Sequence, residues 1–112
     1  MRLYNDTDRA TVDYATANAS NAAVVTVAAD PEEFWAIEFV GWSVDKKPSD
    51  VSLTIEDVTN QTVLYKAVMK ADDTFNDVIT FGSRGLQCEV NASIEITLTG
   101  TKMNKDLTVQ YS

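Results

Sequence analysis

Few residues in this chain could carry chemistry. There is no histidine, and Cys88 is the single cysteine among 112 residues. Those absences remove Ser-His-Asp and Cys-His nucleophilic arrangements, the HExxH signature, and a zinc centre, because one thiol cannot supply the remaining ligands. Seventeen acidic residues remain, and glycoside hydrolysis requires only two carboxylates. The inward positions of the strands are apolar, however, and Glu38, Glu56, Glu89 and Glu95 fall on the opposite register. The turn Gly82-Ser83-Arg84-Gly85 lacks the lysine and the strand–loop–helix setting of a phosphate-binding loop. The expectation is a protein that is not an enzyme.

Two acidic clusters raise the question of a cation. Asp72, Asp73 and Asp77 share one loop, and Ca²⁺ accepts carboxylate and backbone oxygens in flexible geometry. The spacing has neither the central glycine nor the closing glutamate of an EF-hand, so a solvated loop is expected. Asp30, Glu32 and Glu33 receive the same reading, with Pro31 stiffening the segment. No metal or other cofactor is expected. Four Asn-x-Ser/Thr triplets, at Asn5, Asn18, Asn60 and Asn91, match the glycosylation pattern. The first residues show no apolar signal region, so these triplets are read as turn and strand-face chemistry.

Aromatic residues are the more informative candidates. From Phe34 to Ser43 the chain alternates as one long strand, with Trp35, Ile37 and Phe39 on one face and Phe34, Ala36, Glu38, Val40 and Trp42 on the other. The first face is expected to enter the core. Phe34, Val40 and Trp42 would then be exposed, and exposed apolar patches containing Trp tend to be contact surfaces. Three coverings are open: the N-terminal segment folding back with Tyr4 or Tyr14, a neighbouring subunit or larger assembly, or a sugar stacked on the aromatic ring.

These residues must be positioned by strands. Apolar alternation recurs at 23–28, 34–43, 51–56, 62–69, 78–81, 86–90, 93–99 and 107–111, with polar or glycine turns between, and no amphipathic helix interrupts the series. Residues 62–69 could pass for a short helix, but β-branched and aromatic content favours a strand. Eight short strands that must each bury one face imply an antiparallel β-sandwich of jelly-roll style. Residues 1–21 read as an N-terminal arm, since 15–21 is a run of small residues and only Leu3, Tyr4, Val12 and Tyr14 could anchor it. Residues 22–112 form the sandwich domain.

Composition bounds the partners. A net charge of −8 opposes binding to phosphate backbones, which depends on Lys and Arg displacing counterions, so no nucleic acid is expected. No segment approaches the roughly 20 apolar residues of a membrane-crossing helix, so no membrane is expected either. Cys88, inward in Leu86-Gln87-Cys88-Glu89-Val90, reads as a buried and inert thiol.

Residues 34 to 112 resemble small β-sandwich proteins encoded in the structural gene clusters of tailed phages. The likeness is carried by Gly41-Trp42-Ser43, Pro48, Leu53-Thr54-Ile55-Glu56-Asp57 with Val63-Leu64, Ile94-Glu95-Ile96-Thr97-Leu98-Thr99-Gly100, and Leu107-Thr108-Val109. It implies a capsid decoration or cement protein on the outside of the virion, made in the host cytoplasm. Its partners would be the major capsid protein or other virion proteins, with a homo-oligomer, favouring a trimer. The long arm and the charged turn from Asp45 to Asp50 depart from the commoner pattern. A neck, tail or baseplate component and a carbohydrate-binding module are the alternatives. On this reading the contact surface comprises Phe34, Val40 and Trp42, with Leu3, Tyr4 and Tyr14 from the arm.

Overall fold

Alternation sets the central pairings. A computed structural model describes residues 10–112, and within them nine strands and no helix are present. In chain order they are β1 (Thr11–Ala17), β2 (Ala23–Val27), β3 (Ala36–Val44), β4 (Ser52–Asp57), β5 (Thr62–Val68), β6 (Asn76–Thr80), β7 (Leu86–Gln87), β8 (Ile94–Thr99) and β9 (Lys105–Tyr111). One sheet has the order β1-β9-β3-β6, with β7 also pairing β3, and the other has the order β2-β8-β4-β5. All pairings are antiparallel. Because β6 and β7 pair successive parts of β3, they act as one interrupted strand. First then pairs with last, second with second-last, and so inward, which is the strand order of a jelly roll.

The core lies between the sheets. Val25 and Val27, Leu53 and Ile55, Ile94, Ile96 and Leu98 face it from one layer, and Ile37, Val40, Trp42, Leu107 and Val109 from the other. Residues 62–68 form a strand, as their composition favoured, and Met69, which follows it, is buried. The expected strand at 86–90 is shorter: pairing ends at Gln87, Cys88 is buried and Val90 is exposed.

Two expectations are corrected. Residues 11–17, read as part of an arm, form β1, paired along its full length with β9 from Thr11↔Tyr111 to Ala17↔Lys105. Alternation was present there, with Asp13, Ala15 and Ala17 half-buried between exposed neighbours, but its inward members are small or polar and the apolar signal is weak. A boundary at residue 22 therefore cuts through the sandwich. Leu3 and Tyr4 lie outside the described residues.

The second correction concerns β3. The register with β9 shifts between Ile37, opposite Tyr111, and Phe39, opposite Gln110, so Glu38 is an extra residue on one side of the ladder. A bulge of one residue inverts the parity of everything beyond it. Val40 and Trp42, expected outside, are 0% and 5% exposed, while Phe39 faces out. Trp35 is half-buried at the sandwich end, edge-on to Tyr111 at 5.3 Å, with its indole N–H donating to the Ala28 carbonyl at 2.9 Å. Gly85 presses on the same stretch: its φ is +71°, and a Cβ there would lie 2.8 Å from the Ile37 carbonyl oxygen. Only glycine fits both conditions.

Candidate functional site

The outward face of the β1-β9-β3-β6 sheet follows from its registers. Tyr14 stands opposite Thr108, which stands opposite Gly41, which stands opposite Val78. The adjacent row is Val12, Gln110, Phe39 and Thr80, and the row beyond is Thr16, Asp106, Ser43 and Asn76. Tyr14 is 69% exposed and Val78 59%, with Val12 also exposed and Phe39 half-buried. Gly41 supplies no side chain between them, so a shallow trough of about 450 Å³ runs over Gly41, Ser43, Val78, Asp106 and Thr108. Steric crowding does not require glycine there, since a Cβ would make ordinary contacts of 3.7 Å with Val78 and 3.9 Å with Thr108.

These twelve positions contain no lysine or arginine. The face offers rings and branched aliphatics, two amides, hydroxyls and one carboxylate, with Ser43 Oγ donating to Asp106 at 3.4 Å. Such a surface suits apolar contact and neutral hydrogen bonding; it does not suit an anionic backbone.

Of the six residues singled out from the sequence, Val40 and Trp42 are core, Phe34 is half-buried ahead of β3, and Leu3 and Tyr4 are outside the described residues. Tyr14 alone reaches an exposed sheet face. The structure joins it there to Val12, Phe39 and Val78. Val12 and Tyr14 share one parity of β1, a signal visible in the sequence; Phe39 was hidden by the bulge.

Elsewhere polar groups are engaged locally. Asp73 accepts the Lys70 amide at 2.7 Å, Asp77 the Val78 amide at 2.8 Å, and Asp30 the Glu32 amide at 3.0 Å. Among the described residues, no group of three or more His, Cys, Asp or Glu side chains is arranged to hold a metal ion. Cys88 is buried with Sγ 3.7 Å from the Leu86 carbonyl oxygen. Two buried charged side chains brace loops: Asp57 accepts from Asn60 N and Nδ2, and Lys105 donates to three carbonyls. Tyr111, at the end of β9, has its hydroxyl held above the usual tyrosine range by burial and then by the nearby Asp13 carboxylate. No family model, curated protein or solved structure matches this chain.

Proposed function

We propose that the chain is a structural protein of a phage particle, a decoration or cement protein that stabilises the assembled head by bridging coat subunits. The observation that carries the reading is the exposed face of Tyr14, Val12, Phe39 and Val78, an apolar surface on a small jelly roll. Surfaces of this kind mark protein contacts when they are not buried by their own chain. The phage-protein resemblance supplies the identity of the contact, since fold by itself does not. A binder specific to the assembled lattice stabilises it by RT ln(1 + [L]/Kd), about 2.7 kcal/mol when its free concentration is a hundred times Kd. Homo-oligomerisation, favouring a trimer, would use the same face. Mass spectrometry of particles purified from cultures carrying the gene tests this directly. The chain is expected in fixed proportion to the coat protein, and its absence would overturn the assignment.

A carbohydrate-binding module is the second reading, and one feature favours it. Tyr14 and Phe39 present two rings on one sheet face, with the Gln110 amide and the Thr108 hydroxyl on the strand between them. Glycan-array binding that Tyr14→Ser abolishes would select this reading over the first.

A further inference from the structure

The sandwich is open along the side where β5 and β6 end their sheets, and a cleft of about 470 Å³ enters there between the layers. Trp42, Tyr65, Met69 and Ile79 line it, and Asp72, Asp73 and Asp77 border it. No lysine or arginine lines it. Asp73 and Asp77 each accept one backbone amide, and Asp72 accepts no hydrogen bond among the described residues. Carboxylates beside an aromatic wall form an electrostatic match for a cation.

A second observation is independent of the acids. Trp42 is 5% exposed, and its indole N–H donates to no acceptor among the described residues. The other tryptophan, Trp35, has its donor satisfied by the Ala28 carbonyl. A buried donor without a partner carries the desolvation cost of the group, and such groups in native proteins are uncommon. Trp42 projects into the interlayer space from β3, directly opposite Asp77 on β6. Trp42 is itself one of the residues that line the cleft.

We propose that this cleft receives an arginine side chain presented by a segment of a partner protein. The guanidinium lies against the half-buried Tyr65 ring and bridges carboxylates of Asp72 and Asp77. A backbone carbonyl of the same segment accepts from the Trp42 indole. Arginine is favoured over lysine because its planar fork pairs with carboxylates in two places and stacks on aromatic rings. Arginine has no acceptor of its own, so the indole requires the carbonyl of an extended segment. The inference rests on the cleft alone and holds whether or not the outer sheet face binds a capsid.

The test uses the full chain and N-acetyl-arginine-N-methylamide, which has both the guanidinium and peptide carbonyls. Its citrulline counterpart has the same shape without the charge. In ¹⁵N-resolved NMR the two indole N–H signals are assigned with Trp35→Phe. The Trp42 signal is expected to shift saturably with the arginine probe while that of Trp35 stays, and the citrulline probe should bind about tenfold more weakly or worse. Asp72→Asn with Asp77→Asn should weaken binding similarly, whereas Glu56→Gln with Glu95→Gln, on β4 and β8 and not in the cleft lining, should leave it unchanged, separating the cleft from attraction to the net charge of −8. Equal binding of the two probes, a shift of Trp35 without Trp42, or equal losses in both double variants would overturn the proposal. The probe comparison needs no variant in the cleft, so a misfolded Asp72 and Asp77 double variant leaves a decision in hand. A Trp42 signal that moves with protein concentration alone, and is frozen by Arg84→Gln, would make the occupant a second copy and overturn the partner assignment.

Discussion

Ile37 and Val40 lie three positions apart on β3, and both are 0% exposed on the same face of the sheet. The bulge at Glu38 makes this possible, and it is held from two sides: the Glu38 carboxylate accepts from Gln110 Nε2 at 3.2 Å, and its carbonyl accepts the Phe81 amide at 3.2 Å. Everything beyond Glu38 takes its facing from that one extra residue. Trp42 enters the core, and Phe39 joins the outer surface.

The two tryptophans should therefore differ in what they stabilise. Trp42→Ala opens a large void at a buried site and is expected to cost about 3–5 kcal/mol, enough to unfold a marginally stable domain. Trp35→Ala removes a half-buried ring, its edge-on contact with Tyr111 and one hydrogen bond. Its cost should be about 1–3 kcal/mol. Urea unfolding of both variants checks the order, and a larger loss at Trp35 would contradict the register past the bulge.

The strands themselves were legible because alternation is a direct image of a two-sided sheet. Ile94, Ile96 and Leu98 face the core as their spacing required, and residues 23–27, 52–57 and 62–68 are strands. Two features were not legible. Glu38 has no composition that announces a bulge, and its partners Gln110 and Phe81 are distant in sequence, so alternation continued through it misassigns Val40 and Trp42. β1 buries alanines and an aspartate against β9, and small inward residues look like a segment with nothing to bury. The candidate surface inherited both errors, and Tyr14, expected as an anchor of the arm, stands on the exposed face of β1 instead.

Lys105 gives a prediction about loops. Its side chain is 1% exposed, and Nζ donates to the carbonyls of Ala19 at 2.9 Å, Gly100 at 2.8 Å and Met103 at 3.0 Å. It ties the β1–β2 connection to the β8–β9 turn, where Ala19 and Lys102 both have positive φ. Lys105→Met keeps the stem but removes the ammonium from three carbonyls, of which Ala19 retains the Met103 amide, and should cost about 3 kcal/mol. Denaturant midpoints measure this; a loss under about 1 kcal/mol would mean that water replaces the ammonium.

On the outer face of the second sheet, Glu56 and Glu95 stand directly opposite one another on β4 and β8. Neither has a cationic partner among the described residues. Like charges in this relation repel, so Glu95→Gln should stabilise by about 0.5 kcal/mol, raising Tm by about 2 °C. The gain should shrink in high salt, which screens the pair in the parent protein. A fall in Tm would show that Glu95 makes a favourable contact beyond its repulsion.

Tyr111 gives the chain an alkaline limit. Its pKa is raised above 10.0 by burial and then by Asp13, so the folded state favours the neutral phenol. The corresponding stability is present below the unfolded pKa of 10.0 and is lost as pH rises through the higher folded value. Urea midpoints should fall above pH 10 more steeply in the parent than in Tyr111→Phe, and Asp13→Asn should give an intermediate slope. Parallel curves for the parent and Tyr111→Phe would assign the alkaline loss to other groups.

The outer face of the β1-β9-β3-β6 sheet makes the last prediction. Tyr14 and Val78 are exposed at either end of one cross-sheet row, so replacing both with serine removes apolar surface that contributes little to the fold. Surface changes of this kind usually alter stability by less than about 0.5 kcal/mol each, and Tm should stay within about 4 °C of the parent. Association should respond far more, because a few aromatic and aliphatic side chains carry most of the energy of a protein contact. In co-sedimentation with purified particles, the double variant is expected to lose at least about tenfold in affinity, with a matching fall in any self-association seen by light scattering. Val24→Ser and Val63→Ser serve as the control, since these valines are exposed on β2 and β5, in the other sheet. If that pair weakens particle binding and the Tyr14 and Val78 pair does not, the contact lies on the β2-β8-β4-β5 side. If neither does, an exposed apolar face is not what holds this protein to a partner.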